Sequence, residues 1–573
     1  MAKRKLTGAE ILWECLVREK VDVVFGYPGG AILPAYDALN KYKDKIHHVL
    51  VRHEQGATHM ADGYARASGK VGVAMATSGP GAANMVTGIA TAMMDSSPIV
   101  CITGQVPRAA IGSDAFQETD IAGAVIPVSK HSYLVMDIHD LPKTIKEAFA
   151  VARSGRPGPV LVDIPKDIQT QAIEFEYPEE PVSIPGNNFA HKAELNDLDQ
   201  AAKLISKSNK PVILAGHGIL ISGASKEVVE MAEISSIPIG WTLLGSGAIP
   251  ASHPLNMGMM GMHGEFAVNN AIQNADLLIA CGMRFDDRVT GNITTYSPNS
   301  KKIHIEIDPA EINKNVQVDV GINGDLRTVL QQLIPLLSRK NNEDWLKTVS
   351  AWEGESQARD IINLHTEILY GAQVIHDLWR ETNGDAIIVT DVGQHQMLEA
   401  QYYNHEEPNT LLTSGGLGTM GFSLPAAIGA SFSRKDKDIW VIVGDGSIQM
   451  TITELATAVQ EKVNIKIAII NNGYLGMVRQ WQQMFYDARY NETPISSPDY
   501  LKIAEAYGLP GFRVKERNEI QEAVKKVTEI KGPALIEFVV EQHDMVYPMV
   551  PTGADLNEMI SRPVHDQFQD SEM

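Results

Sequence analysis

A chain of 573 residues exceeds what one hydrophobic core organises and predicts about three to four domains. Its hydrophobic fraction, 44%, is that of an ordinary globular protein, and its formal charge of −21 argues against a nucleic-acid role. Cys15, Cys101 and Cys281 are too widely spaced for a zinc site or a disulfide framework and read as reduced thiols.

In chain order, Leu6–Glu10 reads as the beginning of a helix rather than an apolar signal core, and no run is long enough to span a bilayer. The expected location is therefore cytoplasmic. The first block, residues 1–180, offers the strands Val23–Phe25, His48–Val51, Val71–Ala76, Ile99–Ile102 and Val160–Ile164, with a helix from Glu54 to Ser68. That alternation predicts a mostly parallel sheet covered on both faces, a doubly wound α/β arrangement. Glu174 to Glu194, rich in Pro and acids, reads as a linker. The second block, 190–340, offers Val212–Ala215, Leu277–Ala280 and Lys302–Ile307 as strands, and the polar run Ser338–Asp344 suggests a second linker. The third block spans 365–540, and the tail 541–573 shows no period.

The third block carries the most specific signal. Ile439–Val443 and Ile465–Ile470 read as buried parallel strands with a helix, Thr453–Gln460, between them. Gly444-Asp445-Gly446 and Asn471-Asn472-Gly473 follow these strands, at the carboxyl ends where open α/β sheets bind ligands. A carboxylate and an amide oxygen are hard ligands suited to Mg²⁺, which keeps places for phosphate oxygens. Gly-Asp-Gly alone is compatible with a plain tight turn. Asn472, 27 residues after Asp445 across a strand–helix–strand unit, makes the pair more specific. Blocks one and three each carry a glycine-rich loop entering a helix, Thr77–Ala82 and Thr413–Gly421. Distant duplication and two independent turns both account for that.

Further motifs run in order along nearly the whole chain: RHEQGA (52–57), TSGPGA (77–82), TGQVPR (103–108), DAFQET (114–119), SGRPGPVLVDIPKD (154–167), RFDDRVTG (284–291) and NNGYLGMVRQWQ (471–482). With these, the chain resembles the catalytic large subunits of the acetohydroxyacid synthase (acetolactate synthase) family of thiamine diphosphate (ThDP) enzymes. The resemblance implies three domains, binding the ThDP pyrimidine, FAD and the ThDP diphosphate in that order. It implies decarboxylation of pyruvate on ThDP. The hydroxyethyl carbanion would then attack pyruvate, giving 2-acetolactate, or 2-oxobutyrate, giving 2-aceto-2-hydroxybutyrate, in branched-chain amino-acid synthesis. It also implies a homodimer or homotetramer whose sites are shared between copies, and a separate small regulatory subunit.

Site roles follow from the same resemblance. Glu54 would hydrogen-bond the ThDP aminopyrimidine and relay its proton. Asp445, Asn472 and the carbonyl of Tyr474 would bind Mg²⁺. Gly393, Gln394, His395, Gly418, Met420, Gly446, Ser447, Gly476 and Met477 would line ThDP. Arg156, Gly216, Gly218, Met262, His263, Gly282, Arg284, Asp287, Arg288, Glu306 and Asp325 would line FAD, although the first strand of that block lacks a clean G-x-G-x-x-G. Arg288 would hold the acceptor carboxylate, Trp481 its alkyl group, and Gln117 an oxygen of the substrate. Lys166, Gly30, Phe116 and Met477 complete the expected channel. Plainer readings exist for several of these: a helix start favoured by the macrodipole for Glu54, a surface charge for Lys166, core packing for Met420 and Trp481, a solvated ion-pair network for the Arg and Asp cluster. Other ThDP enzymes of this architecture, a catabolic acetolactate synthase or a pyruvate oxidase, are the nearest alternative. A non-catalytic scaffold of the same fold is a more distant one.

Overall fold

The computed structural model describes residues 4–182, 193–357, 360–364 and 368–563. Most of the second half of the predicted 174–194 linker therefore lies outside the described residues. Three six-stranded sheets organise the chain, and the strand pairs within each are parallel. Parallel strands covered on both faces must be apolar throughout, and Gly72–Ala76, Val160–Pro165 and Ile439–Gly444 are buried along their full length.

Numbered within each sheet in chain order, the strands lie 2-1-3-4-6-5 in the first and third sheets. This shared order is what a distant duplication of those two blocks would leave. The middle sheet runs 3-2-1-4-5-6, the order of dinucleotide-binding folds. Its chain order reverses between Pro211–Ala215 and Leu277–Cys281. The absence of a glycine fingerprint therefore did not mean the absence of the topology.

The first and third blocks meet through two helices, Glu54–Ser68 and Ser423–Ser431. They cross at glycines: a Cβ on Gly63 would sit 2.1 Å from the Ala426 carbonyl oxygen, and one on Gly429 1.9 Å from that of Met60. Around this crossing a single apolar cluster takes in Phe25 and Met60 from one block and Phe422 and Val441 from the other.

Some predicted boundaries move. Arg4–Thr7 is a short strand paired antiparallel with Ala172–Phe175, and the first helix is Gly8–Arg18. Thr7 caps it: its hydroxyl accepts from the Glu10 N–H while the Glu10 carboxylate accepts from Thr7 N–H, a reciprocal capping box. Helix Glu343–Gln357 begins inside the predicted second linker. Between the two ligand strands of the third sheet, a helix starts at Asp445 itself and runs to Thr451; a 3₁₀ turn, Ile452–Glu454, then leads to Leu455–Glu461. Cys15, Cys101 and Cys281 are buried free thiols. Among the described residues no helix is long and apolar enough to cross a membrane.

Candidate active site

Asp445 and Asn472 end up side by side because their strands are neighbours, with Gly444 opposite Ile470 in the ladder. Asp445 is buried, and burial pushes its carboxyl up to about 6. Ser497 donates to it at 2.8 Å, and the other groups holding it are backbone N–H donors. A buried carboxylate braced only by neutral donors suits a hard cation such as Mg²⁺. Asn472 is oriented from both ends: its Oδ1 accepts from Tyr474 N–H at 3.1 Å, and its Nδ2 donates to Gln394 Oε1 at 3.1 Å. That leaves Oδ1 with capacity for a second partner beside Asp445. Gln394 is fixed in turn by donating to Gln480 Oε1 and to the Asp544 carbonyl.

A cavity of about 90 Å³ opens over these groups. Gly393, Gln394, His395, Met420, Asp445, Gly446, Ser447, Asn472, Tyr474, Gly476 and Met477 all line it. The ThDP and metal candidates of the third block thus converge, apart from Gly418, which faces the larger cavity beyond. Gly393 has φ +152°, and a Cβ there or on Gly444 would press within 2.9 Å of the His395 ring. Burial holds that imidazole down near about 4, so it is neutral. Its Nε2 accepts from Gly444 N–H at 3.3 Å, which puts the proton on Nδ1.

Asp391 was not foreseen. It follows the strand Ile387–Thr390, and its carboxylate accepts from Val392 N–H, Gly421 N–H, Ser423 N–H and Ser423 Oγ. These four bonds lock the loop that carries Gly418 and Met420. Its position at a strand's carboxyl end, equivalent to that of Asp445, was the available signal. Ser497 had none, because it reaches Asp445 from 52 residues downstream.

A second cavity, about 1000 Å³, lies between the middle block and the other two. Arg156, Gly218, Met262, His263, Gly282, Arg284, Asp287, Arg288, Glu306 and Asp325 line it. Gly216 stands just behind, where a Cβ would lie 2.3 Å from the Gly282 carbonyl oxygen. This is the point where the strand order reverses; the two glycine turns close on each other there, Gly218 N–H donating to the Gly282 carbonyl at 2.9 Å, and the cavity opens beside them. Burial pushes the Glu306 carboxyl up to about 7, and it accepts from Ile307 and Asp308 N–H. A protonatable carboxyl at a strand end suits ribose hydroxyls, and Arg156, Arg284 and Arg288 on the wall suit phosphates; the donor set fits FAD. Asp325 is partly engaged as the cap of helix Leu326–Leu333 through Thr328. The three arginines make only loose pairs with carboxylates, Arg156 with Glu311 at 3.4 Å, Arg284 with Asp286 at 3.9 Å and Arg288 with Asp287 at 3.7 Å, while Arg156 Nε also donates to Ser96 Oγ at 2.8 Å.

Gly393, Met420 and Met477 line both cavities, so the two adjoin. Trp481 lines the larger one, partly exposed and edge-on to Phe485 with ring centroids 5.3 Å apart. It is not a core tryptophan, and it shares its cavity with Arg288.

Glu54, Gly30, Phe116, Gln117 and Lys166 line neither cavity. They gather at the carboxyl edge of the first sheet instead. Glu54 opens its helix, accepts from Asn84 Nδ2 at 2.9 Å and faces Gly81, whose Cβ would lie 3.1 Å from its Oε1. Gln117 abuts Gly79, the neighbouring glycine of the same loop. Gly30 has open space where a Cβ would be, and Phe116 is 88% exposed. Lys166 follows the strand Val160–Pro165.

Family models match all three blocks. They are described as the N-terminal TPP binding domain of thiamine pyrophosphate enzymes over residues 6–124, the central domain over 198–333 and the C-terminal TPP binding domain over 391–538. Similar proteins span the whole chain. The acetolactate synthase large subunit of Corynebacterium glutamicum is 46% identical, covering 97% of this chain and 90% of that protein. The acetolactate synthase isozyme 3 large subunit of Escherichia coli (strain K12) is 44% identical, covering 97% and 98%. A probable acetolactate synthase large subunit of Methanocaldococcus jannaschii is 44% identical, covering 97% and 95%.

Proposed function

The chain belongs to the thiamine diphosphate enzymes and, within them, to the acetolactate synthase large subunits, and from that premise we propose how its two cavities and its exposed first-block edge divide the reaction. The observation that carries the reading is the pairing of buried Asp445 with oriented Asn472 over one small cavity. Asp445 Oδ, Asn472 Oδ1 and the Tyr474 carbonyl would hold Mg²⁺, whose charge would offset that of the ThDP diphosphate. ThDP, when bound, supplies the electron sink for decarboxylating pyruvate. Met420 supports the cofactor from the wall common to both cavities.

Glu54 would hydrogen-bond a ring nitrogen of the aminopyrimidine and serve as its proton partner. Because Glu54 lines neither cavity of its own chain, its edge with Gly30, Phe116, Gln117 and Lys166 serves the cavity of a second copy, and the working unit is at least a dimer. Arg288 binds the carboxylate of the acceptor 2-oxo acid through its planar fork. Trp481 sets the apolar wall against the acceptor's alkyl group and favours 2-oxobutyrate over pyruvate. The larger cavity would hold FAD, with Arg156, Arg284 and Arg288 toward its phosphates and Glu306 toward its ribose hydroxyls, and FAD bound there would be structural. The relatives' title of large subunit supports a separate small regulatory partner, and reduced buried thiols support a cytoplasmic setting.

Purified protein given pyruvate should form 2-acetolactate only when ThDP and Mg²⁺ are both present, and it should carry the yellow of bound flavin. Release of acetate or acetyl phosphate instead would overturn the assignment. A colourless protein fully active without added FAD would move it to the catabolic type.

A further inference from the structure

Three motifs that line neither cavity, TGQVPR, DAFQET and the VDIPKD end of 154–167, are joined by the fold. Thr103 on Ile99–Gln105 stands directly across the ladder from Asp163 on Val160–Pro165. Residues two apart share a face of a strand, so Gln105 falls on the same side. Thr103 Oγ1 donates to Asp163 Oδ1 at 2.7 Å, and Gln105 Nε2 donates to Asp163 Oδ2 at 2.8 Å. The other N–H of Gln105 reaches the Thr119 carbonyl at 2.8 Å, and its Oε1 accepts from Val106 N–H at 2.9 Å. Turning this amide over would set its NH₂ against Val106 N–H, so its partners fix its orientation. Asp163 and Gln105 are buried, and burial raises the Asp163 carboxyl to about 6.

The segment this chain of bonds reaches is strained. Gly112, Asp114 and Gln117 have φ of +82°, +57° and +61°, and non-glycine residues hold such angles only where the surroundings impose them. Glu118 braces the segment from within, accepting from Gly112 and Ala115 N–H. Gln117 lies against Gly79, where a Cβ would come within 2.8 Å of its carbonyl oxygen. The outward side is bare, since Phe116 is exposed.

We propose that Asp163 and Gln105 are positioning residues, forming with Thr103 and the Thr119 carbonyl a buried brace that fixes loop 114–119 against the glycine turn at Gly79. The catalytic consequence rests on reading Gln117 and Phe116 as pocket residues of a partner copy's site. The brace itself does not.

Hydrogen exchange on the assembled protein with its cofactors separates the two. Gln105→Glu is isosteric but turns acceptors toward two acceptors; Gln105→Met keeps the shape without polar atoms and serves if the first variant does not fold. Either should speed amide exchange in 112–120 by about tenfold, the scale of one lost buried hydrogen bond, with strands 99–105 and 160–165 unchanged. Asp163→Asn should stay near wild type, because an asparagine can accept from Gln105 and donate to Thr103. Unchanged exchange in 112–120, or equal loosening of the two strands, would overturn the brace. In kinetics, Gln105→Met combined with Gln117→Ala should lose less kcat/KM than the product of the single losses. Strict additivity would refute action through Gln117. If Gln117→Ala alone changed nothing while exchange in 112–120 rose as expected, the role of Gln117 would fall and the brace would stand.

Discussion

Glu54 and Asp445 are both buried carboxylates, and their neighbours assign them different work. Asp445 is surrounded by hydroxyl and backbone donors beside an amide oxygen, an arrangement for a cation. Glu54 has one amide donor and packs against the glycine turn at Gly81, where a Cβ would lie 3.1 Å from its Oε1. Glu54→Gln should keep fold and ThDP binding while lowering kcat by about 10²–10⁴-fold, the scale of acid–base groups; steady-state rates at saturating ThDP check it, and near-normal turnover would refute the proton role. Asp163 gives a pH signature. Its carboxyl is raised in the fold to about 6 from 3.8, so the folded state holds the extra proton between those values. That stabilisation is complete below the unfolded pKa and is lost as pH rises through about 6. Asp163→Asn removes the dependence. Its stability relative to wild type should rise by roughly 1 kcal/mol from pH 5 to pH 7.5, read from urea midpoints. A constant difference would mean that Asp163 ionises as freely in the fold as out of it.

At the level of elements, the helix Gly476–Phe485 joins the two cavities, with Met477 facing both and Trp481 one turn further along in the larger. Trp481→Leu should cost preference for 2-oxobutyrate over pyruvate by about tenfold, 1–2 kcal/mol for one methyl group, while acetolactate formation survives. Supplying both acids and measuring the product ratio decides it; an unchanged ratio would reduce Trp481 to cavity lining. The strands Ile439–Gly444 and Ile465–Asn471 were legible in sequence as mostly apolar runs closed by glycine turns, and helix Glu54–Ser68 as a long segment ending at Gly69. His131–Leu134 and Ile239–Trp241 were not, because they are only four and three residues long and carry too few residues to show a pattern. The dinucleotide-binding type of the middle sheet is legible only in strand order, which comes from pairings between segments far apart. Gly63 and Gly429 look like weak points of two helices until the crossing shows that only hydrogen fits there.

At the scale of the whole molecule, the proposed reading gives one chain both halves of a site without joining them. Helix Glu54–Ser68 is anchored to the chain's own third block, yet Glu54 lines neither of its cavities. Sequence spacing carries no information about which copy of a chain supplies a residue, so that division was available only from the family resemblance and is now open to test. The central claim is that Glu54 of one copy completes the Asp445–Asn472 cavity of another to make acetolactate. Glu54→Gln and Asp445→Ala should each be nearly inactive alone. Co-expressed, they should form mixed dimers in which one site of the two has both intact residues. With random pairing, acetolactate formation should return to about a quarter of the wild-type rate. If the co-expressed pair forms mixed dimers and stays as inactive as either variant alone, the two residues do not share a site across copies and this account is wrong.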